Sequence, residues 1–461
     1  MLEDILFDKQ RFFDPGTQTV LRGQENRVRR VVLQQGNLIA NERSEVNGVC
    51  ARVYKNGVNG FASMADYSGA AAEMVLKAAT ENAEYLHKYA KKRKPALPEY
   101  KSEQINSKRF IIDYEQKKIV EILRTIDDHI VKSYPKLTSR TVVYREDTME
   151  KIIYTSDACN GHVAYPRAVV YVILNMQSKD GQPLELAQAF GGFGHIEDHF
   201  TDLTKVYEEL EKLYQRLCDK AEGVYAEAGV KTVILDPEVA GMIAHEAVGH
   251  TVEADLVLGG SVAGPYLGKQ VASELVSIVD YAHTSFGEQT SLPVYLDDEG
   301  VEAKDAVLVE NGILKGYMHN RETAGQFGVE PCGNARGWSF SDEPLIRMRN
   351  TTVLPGKDKL EDMIASVDDG YYLLSTNNGQ ADLTGEFMFG ICMGYEIKHG
   401  KLGRAILDTT VSGLAFDMLK TVEMVSDEVK WIPNGTCGKK QPMAVAMGGP
   451  ALKCKISIGG R

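Results

Sequence analysis

Residues 231–256 read KTVILDPEVAGMIAHEAVGHTVEADL: a β-rich run, a turn, and one helical stretch carrying His245-Glu246-Ala247-Val248-Gly249-His250. Two histidines stand five positions apart, with a glutamate directly after the first. The familiar zinc-peptidase spacing is H-E-x-x-H, which sets both imidazoles on one face of a helix. At ~100° per residue, positions four apart differ by about 40° in azimuth, whereas positions five apart differ by about 140°. A regular helix cannot turn both rings toward one ion. The spacing requires a π-bulge, which absorbs one extra residue, or an unwound last turn. Gly249, directly before His250, is read as the residue that permits the departure. A chance match on a buried helix is the competing reading. However, imidazole and carboxylate groups set among apolar residues (VAGMIA before, AVG within) are costly to bury unless bonded or ligated.

The texture of the chain changes close to this stretch. With 461 residues it is too long for one core and divides into about two domains. Before Gly229, residues 29–64 alternate short β-rich runs with Gly and Asn turns, as hairpins do. Helices are expected over 68–92, with Ser68 in a cap-like position, over 113–134 before Pro135, and over 201–229, ending at Gly229. Four β runs (137–147, 151–158, 168–181 and 184–194) lie between the second and third helices. After Gly229 the sequence is Gly-rich with short β runs such as 306–320, 370–383, 393–407 and 451–460. Helical insertions are expected at 358–367 and 414–425. The fold class is therefore α+β: an α+β domain over 1–229, then a mainly β domain over 230–461 that carries the motif helix.

Hydrophobic content of 43% and charged content of 25% are those of an ordinary globular protein. A formal net charge of -12 argues against nucleic acid or an anionic membrane as partner, since both require a basic footprint. The N-terminal MLEDILFDKQRFFD has acids where a signal peptide needs bases, and no run reaches the ~20 apolar residues of a membrane span. Cys50, Cys159, Cys218, Cys332, Cys392, Cys437 and Cys454 are odd in number and form no CxxC pair, the pattern of free thiols in a reducing compartment. The expected location is cytoplasmic.

A catalytic zinc usually takes three protein ligands and leaves one position open. Beyond His245 and His250, the candidates for the third are Glu253, Asp255, His283, His319, Cys437 and Cys454. Cys454 sits in a run where Leu452, Cys454, Ile456 and Ile458 alternate onto one face, a core strand position. Cys437 sits in PNGTCGKKQP, a glycine-flanked turn whose two lysines favour a thiolate. Glu246, beside the first histidine, suits a general base that takes a proton from zinc-bound water and passes it to the leaving amine. Tyr317, His319, Arg321 and Arg336 lie in a polar, aromatic stretch that could supply a donor to a tetrahedral intermediate.

Four segments carry a resemblance to the TldD/PmbA metallopeptidases, also labelled modulators of DNA gyrase: HEAVGHTVEADLVLGG (245–260), YMHNRETAGQFG (317–328), PLIRMRNTTVLPG (344–356) and GTCGKKQP (435–442). The intact His–Glu–His motif is similar to the TldD branch, which the PmbA (TldE) branch lacks. GTCGKKQP departs from the family pattern, which usually has a glycine just before its glutamine. The resemblance implies a zinc peptidase acting on unfolded or small peptides, with Zn2+ held by His245, His250 and Cys437 and Glu246 as the catalytic base. It also implies a site enclosed by a dimer, either a homodimer or a heterodimer with a TldE/PmbA-like subunit. The alternative is a non-catalytic structural or regulatory subunit of such a complex. An adjacent general base has no use there.

Overall fold

The computed structural model describes Leu6 and residues 8–90, 96–98, 100, 104–107 and 114–459. The ends of two expected helices, at 91–92 and 113, lie outside the described residues. The fold is α+β, with a β-rich second half.

One seven-stranded sheet forms from the first half. Its order is Val58–Met64, Asn37–Lys55, Gln18–Gln34, Ser139–Thr155, Gly161–Gln177 and Ile105–Ser107, with Pro183–Phe193 also paired to Gly161–Gln177. The β runs expected at 137–147 and 151–158 are one strand, Ser139–Thr155. It is laddered on one side to residues 20–34 and on the other to 161–175, which leaves no free edge at which to break. Helix Gly69–Tyr89 opens on Ser68, whose side chain accepts from the Ala71 amide. It buries Val75, Leu76 and Ala79 against Leu21 and Val49 of the sheet. Helices Gln116–Ser133 and Thr204–Ala221 bury Leu123, Ile126, Leu210 and Leu217 against Val142, Val170 and Val172.

The third helix stops at Ala221, not at Gly229. A Cβ at Gly223 would lie 2.8 Å from the Lys220 carbonyl oxygen. Beyond it the chain bonds to a neighbouring segment instead, with Val224 N–H to Ala405 O at 3.0 Å and Leu407 N–H to Val224 O at 2.9 Å. Tertiary pairing overrides the helical pattern there.

Two large sheets dominate the second half. A six-stranded one runs Ile313–Leu314, Ala306–Glu310, Ile278–Tyr281, Asn350–Val353, Met443–Gly449 and Lys430–Cys437. In the other, Asp369–Ala381, Gly229–Leu235, Leu452–Ile458, Thr409–Leu414 and Glu386–Lys398 follow in order, and the last strand pairs back to the first, closing a ring. The motif segment packs between the two sheets, against Met443–Gly449 on one side and Asp369–Ala381 on the other. Val239, Ile243, Ala244, Ala247 and Val248 are fully buried in the large shared core. No helix among the described residues is long and apolar enough to cross a membrane.

The close approach of the motif helix to its sheet depends on paired glycines. A Cβ at Gly241 would lie 2.9 Å from the Gly448 amide nitrogen and 3.0 Å from its Cα. Backbone cannot swing aside as a side chain does. Gly241→Ala is therefore expected to lower stability by about 1–3 kcal/mol in urea denaturation; an unchanged midpoint would show that the helix and sheet can separate freely.

Candidate metal centre

Asp236 starts the motif helix, its side chain accepting from the Val239 amide at 2.9 Å, with Pro237 in the first helical position. The α-helix Pro237–Met242 passes into a π-helical turn, Ile243–Gly249, and that into a tight 3-10 turn, His250–Val252. In the wide turn the His250 amide donates to the His245 carbonyl, five residues back. Of the two devices that the spacing left open, the π-helical turn is the one that occurs, and the turn after it is wound tighter. The imidazoles converge, with ring centroids 5.2 Å apart.

Gly249 serves this turn differently from the sequence expectation. Its φ and ψ are both -51°, ordinary helical values that any residue adopts. What excludes a side chain is packing, since a Cβ would lie 2.0 Å from Met348 Sδ.

Cys437 closes the edge strand Lys430–Cys437 and sets Sγ 3.2 Å from His250 Nε2. One potential ligand atom from each of His245, His250 and Cys437 lies within 4.8 Å of the other two. Among the described residues, no other trio of His, Cys, Asp or Glu side chains is so arranged. His245 is 1% exposed, and neither ring nitrogen has a hydrogen-bond partner. A buried imidazole without partners is costly, and a metal ion relieves that cost. Two nitrogens and a sulfur form a donor set that suits zinc.

The surrounding charges prepare these donors. Burial pushes the Cys437 thiol up, but its interactions with His245 and His250 outweigh that and bring it down to about 4. Burial works against a charge on His250, yet Cys437 and Glu253 together raise it to about 10. Glu253, fully buried, accepts from His250 Nδ1 at 2.9 Å. That bond directs Nε2 toward Cys437. Lys439 reaches Glu253 at 3.2 Å and both Asp255 oxygens at 2.7 and 2.9 Å, which ties the cysteine loop to the motif segment.

The other candidates are engaged elsewhere. Glu253 orients His250, and Asp255 is held by Lys439. Cys454 lies inside the strand Leu452–Ile458, where burial pushes its thiol up to about 12. His283 stacks on Tyr295, and His319 packs against Tyr317 and Phe327 with Nδ1 3.1 Å from Thr323 Oγ1. Tyr317 donates to the carbonyls of Ala263 and Gly264, Arg321 binds Asp157, and Arg336 donates to the carbonyls of Met348 and Ala444. These contacts account for the polar segment without a role beside the trio.

Glu246, one-fifth exposed, faces an open cleft of about 590 Å³ whose lining includes His250, Leu256, Ala381, Leu383 and Thr436. Its carboxylate oxygens lie 4.0 Å from His245 Nε2 and 3.7 Å from His250 Nε2. Lys440, which stands where the resembled pattern usually has glycine, adopts φ 56°, the left-handed region that glycine enters without steric cost. One residue at the centre was not singled out from sequence: Arg347, which donates to the Cys437 carbonyl at 2.7 Å; Lys439, expected to favour the thiolate, is bonded to Glu253 and Asp255. Arg347 and Arg349 alternate with Ile346 and Met348, and a regular cation alternation within an apolar run was the available signal for buried arginines.

The profile of the PmbA/TldA metallopeptidase C-terminal domain matches residues 228–460, and that of domain 1 of the same metallopeptidases matches 20–83. A metalloprotease of Methanocaldococcus jannaschii is 33% identical over 93% of this chain and 94% of its own. A zinc metalloprotease TldD homolog of Saccharolobus solfataricus is 33% identical over 75% of this chain and 76% of its own. Among solved structures, a putative modulator of a DNA gyrase from Thermotoga maritima superposes with a TM-score of 0.76 at 20% identity, covering 98% of both chains. TldE from Thermococcus kodakarensis gives 0.74 at 18%, again over 98% of both. The chain belongs to the TldD/PmbA metallopeptidase family.

A thiol held below its ordinary range carries a thiolate at every pH above its own value. The metal-free protein is expected to show thiolate ultraviolet absorption at neutral pH that fades as the pH falls toward about 4 and is missing from Cys437→Ser. Absorption that develops only above the ordinary thiol range, ~8.5, would mean that the two histidines do not hold the charge.

Proposed function

We propose that this protein is a zinc-dependent peptidase acting on unfolded or small peptides, with His245, His250 and Cys437 as zinc ligands and Glu246 as general base. The observation that carries the reading is the fully enclosed His245 imidazole, whose two nitrogens find no partner beside a second imidazole and a stabilised thiolate. The name of the Saccharolobus solfataricus relative supports zinc as the ion. Zinc bound there would supply Lewis acidity, polarising the scissile carbonyl and easing deprotonation of water.

The chain's own groups do the remaining work. His250 donates its Nδ1 proton to Glu253 and turns Nε2 toward the site, where an incoming ion would displace the Nε2 proton. Glu246 stands next to the ligands yet reaches the cleft, so its carboxylate takes the proton of an attacking water and returns it to the leaving amine. A closed structural zinc site uses four protein ligands. Three donors with a carboxylate at an open cleft favour catalysis over a purely structural or regulatory ion. The cleft runs past Gln380 of the strand Asp369–Ala381 and Leu383 of the turn that joins it to Glu386–Lys398, and it accepts an extended chain more readily than a folded surface. The structural likeness to a TldE protein favours pairing with a TldE/PmbA-like subunit, with a homodimer as the second arrangement. The lack of CxxC pairs and the acidic balance fit a cytoplasmic location.

Glu246→Gln keeps all three ligands and removes the base. Zinc content should stay at the wild-type level while hydrolysis of an unstructured peptide falls about 10²–10⁴-fold. Near wild-type turnover in zinc-loaded Glu246→Gln would defeat the catalytic assignment. The two buried cysteines separate in the same way. Cys437→Ser should lose zinc on dialysis, because a neutral hydroxyl is a poor zinc ligand, whereas Cys454→Ser should keep its zinc and lose only some stability. Metal analysis that finds the reverse would move the third ligand to Cys454.

A further inference from the structure

Arg347 is fully buried, and no carboxylate lies within ion-pairing distance of it among the described residues. Its guanidinium instead gathers three backbone carbonyls of a single loop. Nη2 donates to Cys437 O at 2.7 Å, and Nη1 donates to Lys439 O at 2.9 Å and Gln441 O at 2.7 Å. These are alternate residues around the turn at Lys440, and the first carries the thiol. A buried cation held by carbonyls alone, with Nε left unpaired, is an expensive arrangement, because its desolvation is offset by dipoles and not by a counter-charge. Such an arrangement holds whatever supplies the dipoles.

The other side of Arg347 is equally constrained. Its own amide donates to Asn334 O at 2.8 Å. Two residues on, Arg349 and Asp280 form a pair with no exposure at all, Nε to Oδ2 at 2.8 Å. Between them Met348 fills the space at Gly249, directly before His250. The run 347–349 therefore touches the cysteine loop with one side chain and the histidine turn with the next.

From this geometry we infer that Arg347 is a positioning residue for the metal: it sets Cys437 Sγ at the separation from His245 and His250 at which one ion meets all three. The inference rests on the ligand assignment proposed above. A lysine at 347 keeps the charge but presents one ammonium in place of a planar fork, and it cannot hold three carbonyls in the same geometry.

The test is a double-mutant cycle read as zinc affinity, by competition with a chromophoric chelator, in the full chain. Arg347→Lys is expected to weaken zinc binding on the order of 10–100-fold. In the Cys437→Ser background the same substitution should change affinity by less than about twofold, because the contact it acts through is already gone. With Co2+ in place of zinc, Arg347→Lys should lose the sulfur-to-cobalt charge-transfer band while its ligand-field bands from the histidines persist. An equal loss in both backgrounds, or no loss in either, overturns the role of Arg347. Unchanged zinc affinity in Cys437→Ser alone overturns instead the ligand assignment beneath it. Arg347→Gln, which keeps one amide donor and buries no charge, gives the same readings if the lysine variant does not pack.

Discussion

The site depends on one hydrogen bond of unusual span, from the His250 amide to the His245 carbonyl. In an α-helix a residue five positions on points away from the first, and the two imidazoles would face different neighbours. The wider turn removes that divergence without breaking the helix, so backbone bonding continues through a fully buried segment where an open loop would leave polar groups unmet. The consequence reaches beyond the two rings. The following 3-10 turn delivers Glu253 beneath His250, and the same advance sets Asp255 where Lys439 can reach it. One extra residue in one turn thus places His250, its orienting carboxylate and the anchor of the opposing loop.

Around that turn the second half is held by ionic groups taken almost wholly out of water. Arg349 and Asp280 lie on the six-stranded sheet and its approach, and Asp280 also accepts from the Arg349 amide and the Thr351 hydroxyl. Asp298 receives Lys151 at 2.6 Å and Arg22 at 2.7 Å, both from the first sheet. Burial pulls the Lys151 ammonium down to about 8 even with Asp298 beside it. Such pairs add little net stability over apolar packing, but breaking one strands a buried charge. They make the relative placement of sheet and metal centre specific.

Legibility from sequence follows the range of the interactions. The helix at 69–89 and the alternation of Leu452, Cys454, Ile456 and Ile458 are local patterns, and they read directly. The irregular turn was legible as a need, because azimuth arithmetic forbids a regular helix, but its form depended on how the core fills behind it. Gly249 shows the difference: its backbone is ordinary, and Met348, about a hundred positions away, is what excludes a side chain. The helix expected to reach Gly229 ends at Ala221 because residues 405–407 compete for its backbone, and no local period records that. Arg347 and the carboxylate partners of Lys439 escaped for the same reason. A lysine beside a cysteine reads as a cation for the thiolate until Glu253 and Asp255 are in view.

The three donors differ in how much of the fold they require. His245 and His250 are brought together by a single helical segment, whereas Cys437 is 187 residues from His250 and arrives on the edge strand of a sheet. The histidine pair is pre-organised within its own segment, by the wide turn and by the Glu253 bond to His250. The thiolate needs the sheet register, the turn at Lys440 and the Arg347 fork all at once. A metal ion that binds all three stabilises the assembled state over any state in which that edge has come away, by the free energy of the third bond. The orphaned nitrogens of His245 give the converse. Without an ion the helix keeps a buried imidazole with no hydrogen bond to either nitrogen, so the strain of the metal-free site falls on the motif helix while the freedom lost on metal binding falls on the loop. That division assigns rigidity to the element carrying Glu246 and adjustability to the element that closes beside the cleft.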